Sequence, residues 1–549
     1  MPANPEKTQV LVIGAGPTGL TMALYLAKHD INVRIIEQYP AEHGGARGTA
    51  ILELLAIMGA DKDLFEIATG PLQMAVYGTD GKTILKAFDW SEAAEDSPTI
   101  PFRRTASIGQ AQLEAILHRH VKQFGCEIEF GKKLLDITQD GDKVTAKVLA
   151  DGTEHLIDCD YLVAADGAKG RSRRLVGALF IGETKEADRL WTANVEVPGF
   201  SREYWHRWGD FSKAATSLKP INPAPLFHMQ SLGPALPKDI PKDLNGTQEL
   251  FNSIAGRDDI KIEKAEYISE WTANIRMSDK FAVGCMFLSG DVAHCHSPMG
   301  GQGTNTAMQD AFNLAWKLVL VLNKKTSVGL LASYEAERMP VVAEMLNLST
   351  ALHARVFPHI PATAFETPRP KDSEPDPMQC SKKLLQLGVN YRWSDIVFDE
   401  RYNGQSTLEK NPYNVTDKRI RAGDRAPFIG NLVGEKITDL FTLLKEAPSH
   451  VVLIFPSSAS SKLENLASIQ GIIHAGLVQI AVIVEDRAPY ADDTRSVKYL
   501  VDTTGKAREA YVSDTRTTYA IIRPDGIIGG YSFRVDGIVE YCSRLGVVI

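Results

Sequence analysis

The chain opens with a run of aliphatic and β-branched residues, QVLVIGAG, broken by glycine and followed by LTMALYLAKHD, whose apolar positions recur at helical spacing. NVRIIEQ then supplies a second apolar run. Short apolar runs on either side of a helical segment predict buried parallel strands, so residues 9–38 read as one βαβ unit. Leu113 to Phe124 carries another helical pattern, and residues 126–166 read as several strands divided by turn residues. Residues 181–276 differ in texture, with many aromatics, several prolines and weak helical periodicity. Helical spacing returns from Thr306 to Leu322, where Ala307, Met308, Ala311, Phe312, Ala315, Leu318, Val319 and Leu322 line one stripe.

A break follows. Phe357 to Cys380 holds six prolines in 24 residues, with Ser, Asp and Glu between them, a composition suited to an extended surface crossing. After about residue 425 HVVLIFP reads as a strand, Leu463 to Gly476 as a helix and VQIAVIVE as a strand. TTYAIIRPDGIIGGYSF reads as a hairpin, and a last helix runs from about Val535 to Leu545. A βαβ unit followed by ββα is the order of a thioredoxin-like fold. FPSSASSKLENL, where a redox pair would stand, contains no cysteine, which speaks against a redox role for this tail.

Composition narrows the functional classes. The 549 residues are 44% hydrophobic and 23% charged, ordinary globular values that exclude a largely disordered chain. Sixty Lys+Arg against 68 Asp+Glu give a net charge of −8, with no long basic run, so a nucleic-acid partner is not expected. The start shows no secretory signal, and no apolar stretch is long enough to span a membrane. Six cysteines, none in a CxxC pair, fit a reducing compartment, and the expected location is the cytoplasm.

The chemistry starts at Gly14-x-Gly16-x-x-Gly19, directly after a strand and at the opening of a helix. Gly14 permits the tight turn, Gly16 lets backbone approach a pyrophosphate, and Gly19 allows close helix–strand packing. The helix N-terminus offers unpaired N–H groups and a partial positive charge to phosphate. Glu37 closes the second strand, placed to accept hydrogen bonds from ribose hydroxyls. This Rossmann-like start predicts a dinucleotide and does not by itself separate FAD from NAD.

Two more segments bear on that choice. YLVAADGAKGRSRR (161–174) is a buried strand run ending at Asp166-Gly167. In residues 284–318 an apolar strand ends at Gly290-Asp291, and a Pro/Gly-rich loop from Pro298 to Gly303 leads into a long amphipathic helix. That loop leaves the N–H groups of Gly303, Thr304 and Asn305 at a helix start, a place for an anion or an electron-rich ring edge. His294-Cys295-His296 lacks further ligands at suitable spacing, and no metal is expected.

Together the three segments resemble the class A flavoprotein monooxygenases, the family of p-hydroxybenzoate and phenol hydroxylases, over roughly residues 9–350 and more loosely beyond. The resemblance implies an α/β fold: a Rossmann-like FAD-binding domain (1–75, 105–180 and 277–356) interleaved with a β-sheet substrate domain of α+β character (76–104 and 181–276). A Pro-rich crossing (357–425) and a thioredoxin-like domain (426–549) complete the expected organisation. It also implies FAD, with NAD(P)H as co-substrate. Asp166 would serve both nucleotides, Asp291 the ribityl chain, and Arg47 and Gln110 the phosphates and adenosine side. Pro298 would lie against the isoalloxazine, with Gly301, Gly303, Thr304 and Asn305 facing its pyrimidine ring. The chain departs from many relatives at Gly170, Cys285 and Ala50, where they carry serine, arginine and arginine; these positions bear on NAD(P)H contact.

The expected activity is hydroxylation of a phenolic or related aromatic ring by molecular oxygen through a flavin hydroperoxide, in a single-component enzyme forming a homodimer. Tyr204, His206, Arg207 and His228, in the aromatic part of the substrate region, are the candidates for phenol deprotonation or carboxylate binding. Two alternatives stand beside it: epoxidation or oxygen insertion on a non-aromatic natural product, and a flavin-binding protein without turnover.

Overall fold

The first apolar run forms the strand Glu6–Ile13, whose last four residues are buried. It pairs in parallel with Val33–Ile36 on one side and with residues 157–164 of the long strand Thr153–Ala164 on the other. Met286–Leu288 extends this parallel set. Four neighbouring strands therefore end at Ile13, Ile36, Ala164 and Leu288 on one edge, and the segments carrying Gly14, Glu37, Asp166 and Asp291 follow directly. Ligands of open parallel sheets bind beyond such carboxyl ends, because the turns there present backbone N–H groups and helix starts. The computed structural model describes residues 5–41, 52–357, 376, 378–402, 411–413, 419–434, 437–446, 448–457, 466–485 and 497–547.

The helix Pro17–Lys28 is buried from Thr18 to Ala27 and packs on Gly303–Leu322, with the Tyr25 and Phe312 rings meeting edge to face at 4.9 Å. From Asn305 to Val321 every residue except Gln309 is buried. The apolar stripe seen in the sequence is only part of this helix, because other elements cover its remaining sides. One is Ala332–Val356, a 25-residue helix that the hydrophobic pattern did not predict; it has Pro340 inside it and buried polar residues along its length. The tail covers another side, where Trp316 packs edge-on to His450 at 5.4 Å.

The second sheet has eight strands in the order 294–295, 264–278, 180–196, 226–232, 214–220, 204–210, 73–77 and 84–89. Leu244–Ala255, a helix capped by Asp243 and also missing from the sequence reading, covers one face. There Trp191, Trp208, Leu218, Phe227 and Met229 pack on Leu250 and Phe251. The opposite face carries the alternate residues and turns toward the first sheet.

The third sheet centres on His450–Phe455, parallel to Val478–Val484 and antiparallel to Thr518–Ile522, which forms the expected hairpin with Ile528–Ser532. The last helix is Asp536–Arg544. The pattern differs from βαβ–ββα in two ways. A parallel strand Val497–Asp502 and a helix Lys506–Tyr511 stand between the two halves, and short strands Phe398–Asp399 and Leu432–Val433 close the edges. The helix expected over 463–476 is, in its described part, a 3-10 turn Leu466–Ile469 followed by Gln470–His474. Part of the supposed crossing is packed rather than exposed: Val389, Tyr391, Phe398 and Ala422 are buried. Residues 358–375, the proline-rich stretch itself, lie outside the described residues, as do 458–465 of FPSSASSKLENL. The tail does hold one cysteine, Cys542, buried in the last helix, where burial pushes its thiol up to about 12. Among the described residues no helix is long and apolar enough to cross a membrane.

Candidate active site

Gly14 has φ +102°, and a Cβ there would lie 2.4 Å from the Ala165 carbonyl oxygen. At Gly19 a Cβ would lie 1.9 Å from the Gly14 carbonyl oxygen, so helix and turn touch through glycine alone. Gly16 is different. Nothing among the described residues lies within 4 Å of its missing Cβ, and it caps the helix without a side-chain hydrogen bond. That is an open cradle beside unpaired helix N–H groups, the arrangement a phosphate requires.

Glu37 is buried at the end of its strand. One carboxylate oxygen accepts the Ala15 N–H at 2.9 Å and the other the Tyr39 N–H at 3.0 Å, so its own turn fixes its orientation. Asp166 accepts the N–H and hydroxyl of Ser172 at 3.0 and 2.9 Å through one oxygen, while its other oxygen is buried without a partner among the described residues. Burial, opposed by the Ser172 bonds, raises its pKa. A Cβ at Gly170 would lie 2.2 Å from the Asp166 carboxyl carbon, so the departure from serine there matches the close approach of this carboxylate. Gln110 starts its helix and donates to Glu114 at 2.7 Å.

Gly14, Gly16, Glu37, Gln110 and Asp166 line one cleft of about 540 Å³, whose far wall is formed by Thr192, Asn194 and His228 of the second sheet. The volume falls within the range of cofactor sites, roughly 300–1,000 Å³. Two sheets thus meet across a polar gap.

The Gly290-Asp291 turn lies at the next strand end. Gly290 is in the left-handed region, and a Cβ there would lie 2.6 Å from the Thr18 hydroxyl. Asp291 is exposed. The loop beyond is shaped by its own bonds: the Gly301 N–H donates to the Pro298 carbonyl at 3.0 Å, and Gln302 donates to the carbonyls of Gly300 and Leu384 at 2.7 and 3.0 Å. The helix then starts at Gly303, with Thr304 and Asn305 in its first turn and no side-chain cap. A Cβ at Gly303 would lie 3.1 Å from His296 Nε2, so a side chain would press on that histidine as well as fill the loop. A contact invisible in sequence supports the loop: Ser297 hydrogen-bonds His353 Nδ1 at 2.8 Å, and His353 Nε2 meets Asp188 at 2.9 Å.

His294 does not stand as half of a metal pair. Its Nε2 lies 2.6 Å from Asp310, whose other oxygen accepts from Arg338 at 2.7 Å, all three fully buried. Among the described residues no group of three His, Cys, Asp or Glu could hold a metal ion. Arg47 and Ala50 lie outside the described residues.

The four candidates in the second sheet divide by strand parity. His206 pairs in register with Leu218, on the helix-covered face, and stacks with Tyr77 and Trp208. Both of its ring nitrogens are engaged, Nδ1 with the Tyr77 hydroxyl and Nε2 with the Ser201 carbonyl, each at 2.8 Å. Burial pushes its pKa down to about 4. Tyr204 shares that face, its ring edge-on to His206 at 6.2 Å. Arg207 and His228 are on the opposite face. Arg207 is already held by a bidentate pair with buried Asp376, both bonds 2.8 Å. His228 alone of the four lines the cleft, its Nδ1 3.2 Å from Asn194 Oδ1.

Relatives place this site in a family. The FAD binding domain family matches residues 7–349. A flavin-dependent monooxygenase of Mycobacteroides abscessus is 30% identical over 543 residues, covering 98% of this chain and 99% of that protein. The chain belongs to the class A FAD-dependent monooxygenases. Pentachlorophenol 4-monooxygenase of Sphingobium chlorophenolicum is 26% identical over 77% of this chain and 79% of its own length. The crystal structures of the flavin-dependent monooxygenase PieE, with FAD and substrate, and of aklavinone-11 hydroxylase share the fold. Their TM-scores are 0.79 and 0.76, at 18% and 22% identity, each over 99% of both chains. This monooxygenase therefore takes FAD, and the Gly16 cradle, the uncapped helix start and the unpartnered oxygen of Asp166 fit that cofactor.

Proposed function

We propose that this monooxygenase consumes NAD(P)H and molecular oxygen to hydroxylate a phenolic or related aromatic ring. The observation that carries the reading is the shared cleft, where the nucleotide-turn residues and the second sheet's His228 and Asn194 face one another. FAD, once reduced by NAD(P)H, supplies the activation of oxygen. The chain's own residues bind and orient. The turn Gly14–Gly19 takes the pyrophosphate, Glu37 and Gln110 the adenosine side, and Asp291 the ribityl chain. Pro298 to Asn305 faces the ring system, and the helix N-terminus at Gly303 favours negative charge there by roughly 0.3–1 kcal/mol when exposed and about 2 when partly buried. His228, hydrogen-bonded to Asn194 on the cleft wall, is the one of the four candidates that faces the cofactor side, and its role in this reading is to exchange a proton with a substrate hydroxyl.

A second cavity, about 130 Å³, lies between Gly300, Asn305, Phe102 and Trp90. A cavity of about 150 Å³ accepts a benzene ring, so this space favours a single-ring substrate. Pentachlorophenol, named for one relative, is of that kind, whereas rifampicin, named for others, is not. In this reading the tail is a thioredoxin-like domain with a structural role. The test is a phenolic panel scored by substrate-dependent NAD(P)H oxidation, with mass analysis of products. A ring bearing one added oxygen is expected; NAD(P)H consumption yielding only peroxide across the panel would overturn the reading.

A further inference from the structure

The face of the second sheet turned toward the cofactor cleft carries one row of side chains that runs from strand to strand. Asn194 pairs in register with His228, and His228 with Lys219. Trp205 stands beside Lys219 on the following strand, with the Lys219 ammonium 4.6 Å from the centre of its ring and 5.5 Å from that of Trp90. Adjacent strands are spaced about 4.7–4.9 Å apart, so Lys219 is one strand away from the cleft wall. It lies in a small recess lined also by Arg104 and Thr105, which shares Trp90, Ser91, Arg104 and Thr105 with the single-ring cavity.

Three features of this recess call for a ligand. Lys219 has no carboxylate partner among the described residues, and burial pushes its pKa down to about 8. Its titratable neighbours do not neutralise it: burial pushes the Cys380 thiol up to about 12, and Asp89 is paired with Arg104 at 3.4 Å. Trp205 is 5% exposed, and its indole N–H is buried with no acceptor among the described residues. Buried indole N–H groups ordinarily find a partner, and a half-buried cation without an anion still pays for lost hydration. Two donors with no acceptor among the described residues, one of them cationic, thus line a recess with room for a single oxygen atom, which shares a wall with the ring-sized cavity.

We propose that Lys219 and Trp205 bind the ionised oxygen of an aromatic substrate, a phenolate or a carboxylate, while its ring occupies the adjoining cavity. The site deepens the proposed function, on which it rests, by restricting the substrate to single-ring aromatic anions. Lys219 attracts the charge, the Trp205 N–H fixes the oxygen, and the Trp205 and Trp90 faces hold the ammonium. For a phenol, the lysine also favours the ionised form, the more nucleophilic state of the ring.

The probe is 4-nitrophenol, with benzoate as the carboxylate arm and toluene as the neutral control, titrated into the FAD-loaded full-length protein. At a pH one unit below the probe's own pKa, bound 4-nitrophenol should show the phenolate absorption band. Lys219→Met should weaken 4-nitrophenolate or benzoate at least tenfold, remove the band shift and leave toluene binding unchanged. Lys219→Arg should retain both, and Trp205→Phe, which keeps a ring but removes the donor, should weaken the anions alone. Tight binding by one anion and not the other identifies which oxygen the recess takes. If Lys219→Met does not retain FAD, Trp205→Phe and Lys219→Arg carry the test. Equal anion affinity in wild type and these variants, or binding of 4-nitrophenol in its neutral form, would overturn the proposal. Phenol turnover with no Lys219 dependence would remove this site and keep the function; Lys219-dependent binding without turnover of any phenol would do the reverse.

Discussion

Two regions of the molecule bring charged groups into protected surroundings and treat them in opposite ways. Between the helices Gly303–Leu322 and Ala332–Val356 and the tail, Glu337 accepts from Arg523 at 2.7 and 3.0 Å, from Lys317 at 2.9 Å, and from Asn313 and Ser394 at 2.7 Å each. Arg523 also meets Asp525, which accepts the Trp316 indole N–H at 3.1 Å. Every member of this cluster is answered within the chain. At the open sites the opposite holds: among the described residues the helix start at Gly16 has no side-chain cap, and one oxygen of Asp166 in the cleft and the Trp205 N–H in the recess beyond its wall have no protein partner. Closed charge ties elements together, and open charge awaits a ligand. Glycine follows the same division, since Gly19 is filled by neighbouring backbone and Gly16 faces empty space.

The severest way to break the comparison is to end the chain at residue 425. This removes Arg523 and Asp525, leaves Lys317 and Glu337 facing each other without the bidentate arginine, and exposes Trp316 and the apolar residues that share one core with the tail. No soluble folded protein is expected. A monomeric truncated protein with native thermal stability and turnover would show that the tail is dispensable.

Glu337→Ala tests the closed cluster directly. It leaves buried Lys317 without its carboxylate and Arg523 with Asp525 alone, a change expected to cost about 3–5 kcal/mol, read as a lowered denaturation midpoint. Burial alone would raise the Glu337 pKa, but Arg523 and Lys317 outweigh it and hold it well below its ordinary value of 4.5. With the folded-state pKa below the unfolded one, the carboxylate stabilises the native state above about pH 4.5 and loses that contribution as pH falls through the folded value. Wild-type stability should therefore decline below pH 4.5 more steeply than that of Glu337→Gln. Parallel acid profiles would count against the cluster as the source.

Gly16→Val tests the open region. The added carbons meet nothing in the protein, so the apoprotein should melt as wild type does. They occupy the place of a phosphate, and each hydrogen bond lost to a charged group is worth about 1.5–3 kcal/mol, so FAD affinity should fall tenfold or more. Equilibrium dialysis of FAD beside calorimetry of the apoprotein separates the two effects; an unchanged affinity would place the pyrophosphate elsewhere.

The smallest expected effect sharpens the face assignment. His206→Phe keeps the ring stack and removes the bonds to Tyr77 and Ser201, costing about 1–2 kcal/mol of stability while FAD retention and substrate affinity stay within about twofold. His228→Phe, on the cleft face, should alter substrate affinity and the pH profile of turnover with little change in stability. A reversal of these roles in the same assays would reverse the assignment of the two faces.

What the sequence determined by itself is local. Gly14, Gly16 and Gly19 after an apolar run, the Asp166-Gly167 and Gly290-Asp291 strand ends, and the loop into Gly303 are short patterns whose physical reasons lie within a few residues. They placed the parallel strands and the glycine turn, and they pointed to FAD as the cofactor. Strand parity was also legible: alternation along residues 204–210 and 214–220 could have separated His206 from Arg207 and pointed to Lys219, had the covered face been known. That knowledge came only from the tertiary structure. The helix Leu244–Ala255 decides which face of the second sheet is core, and no local pattern reveals where it docks. The same holds for Ala332–Val356, where Pro340 and buried Glu337, Arg338 and His353 contradict the expected signature of a packed helix, because their partners arrive from 310, 188 and 523, far along the chain. Hydrophobic periodicity reports what a residue prefers. Whether a charged one is answered, and therefore structural or functional, depends on what the fold sets opposite it.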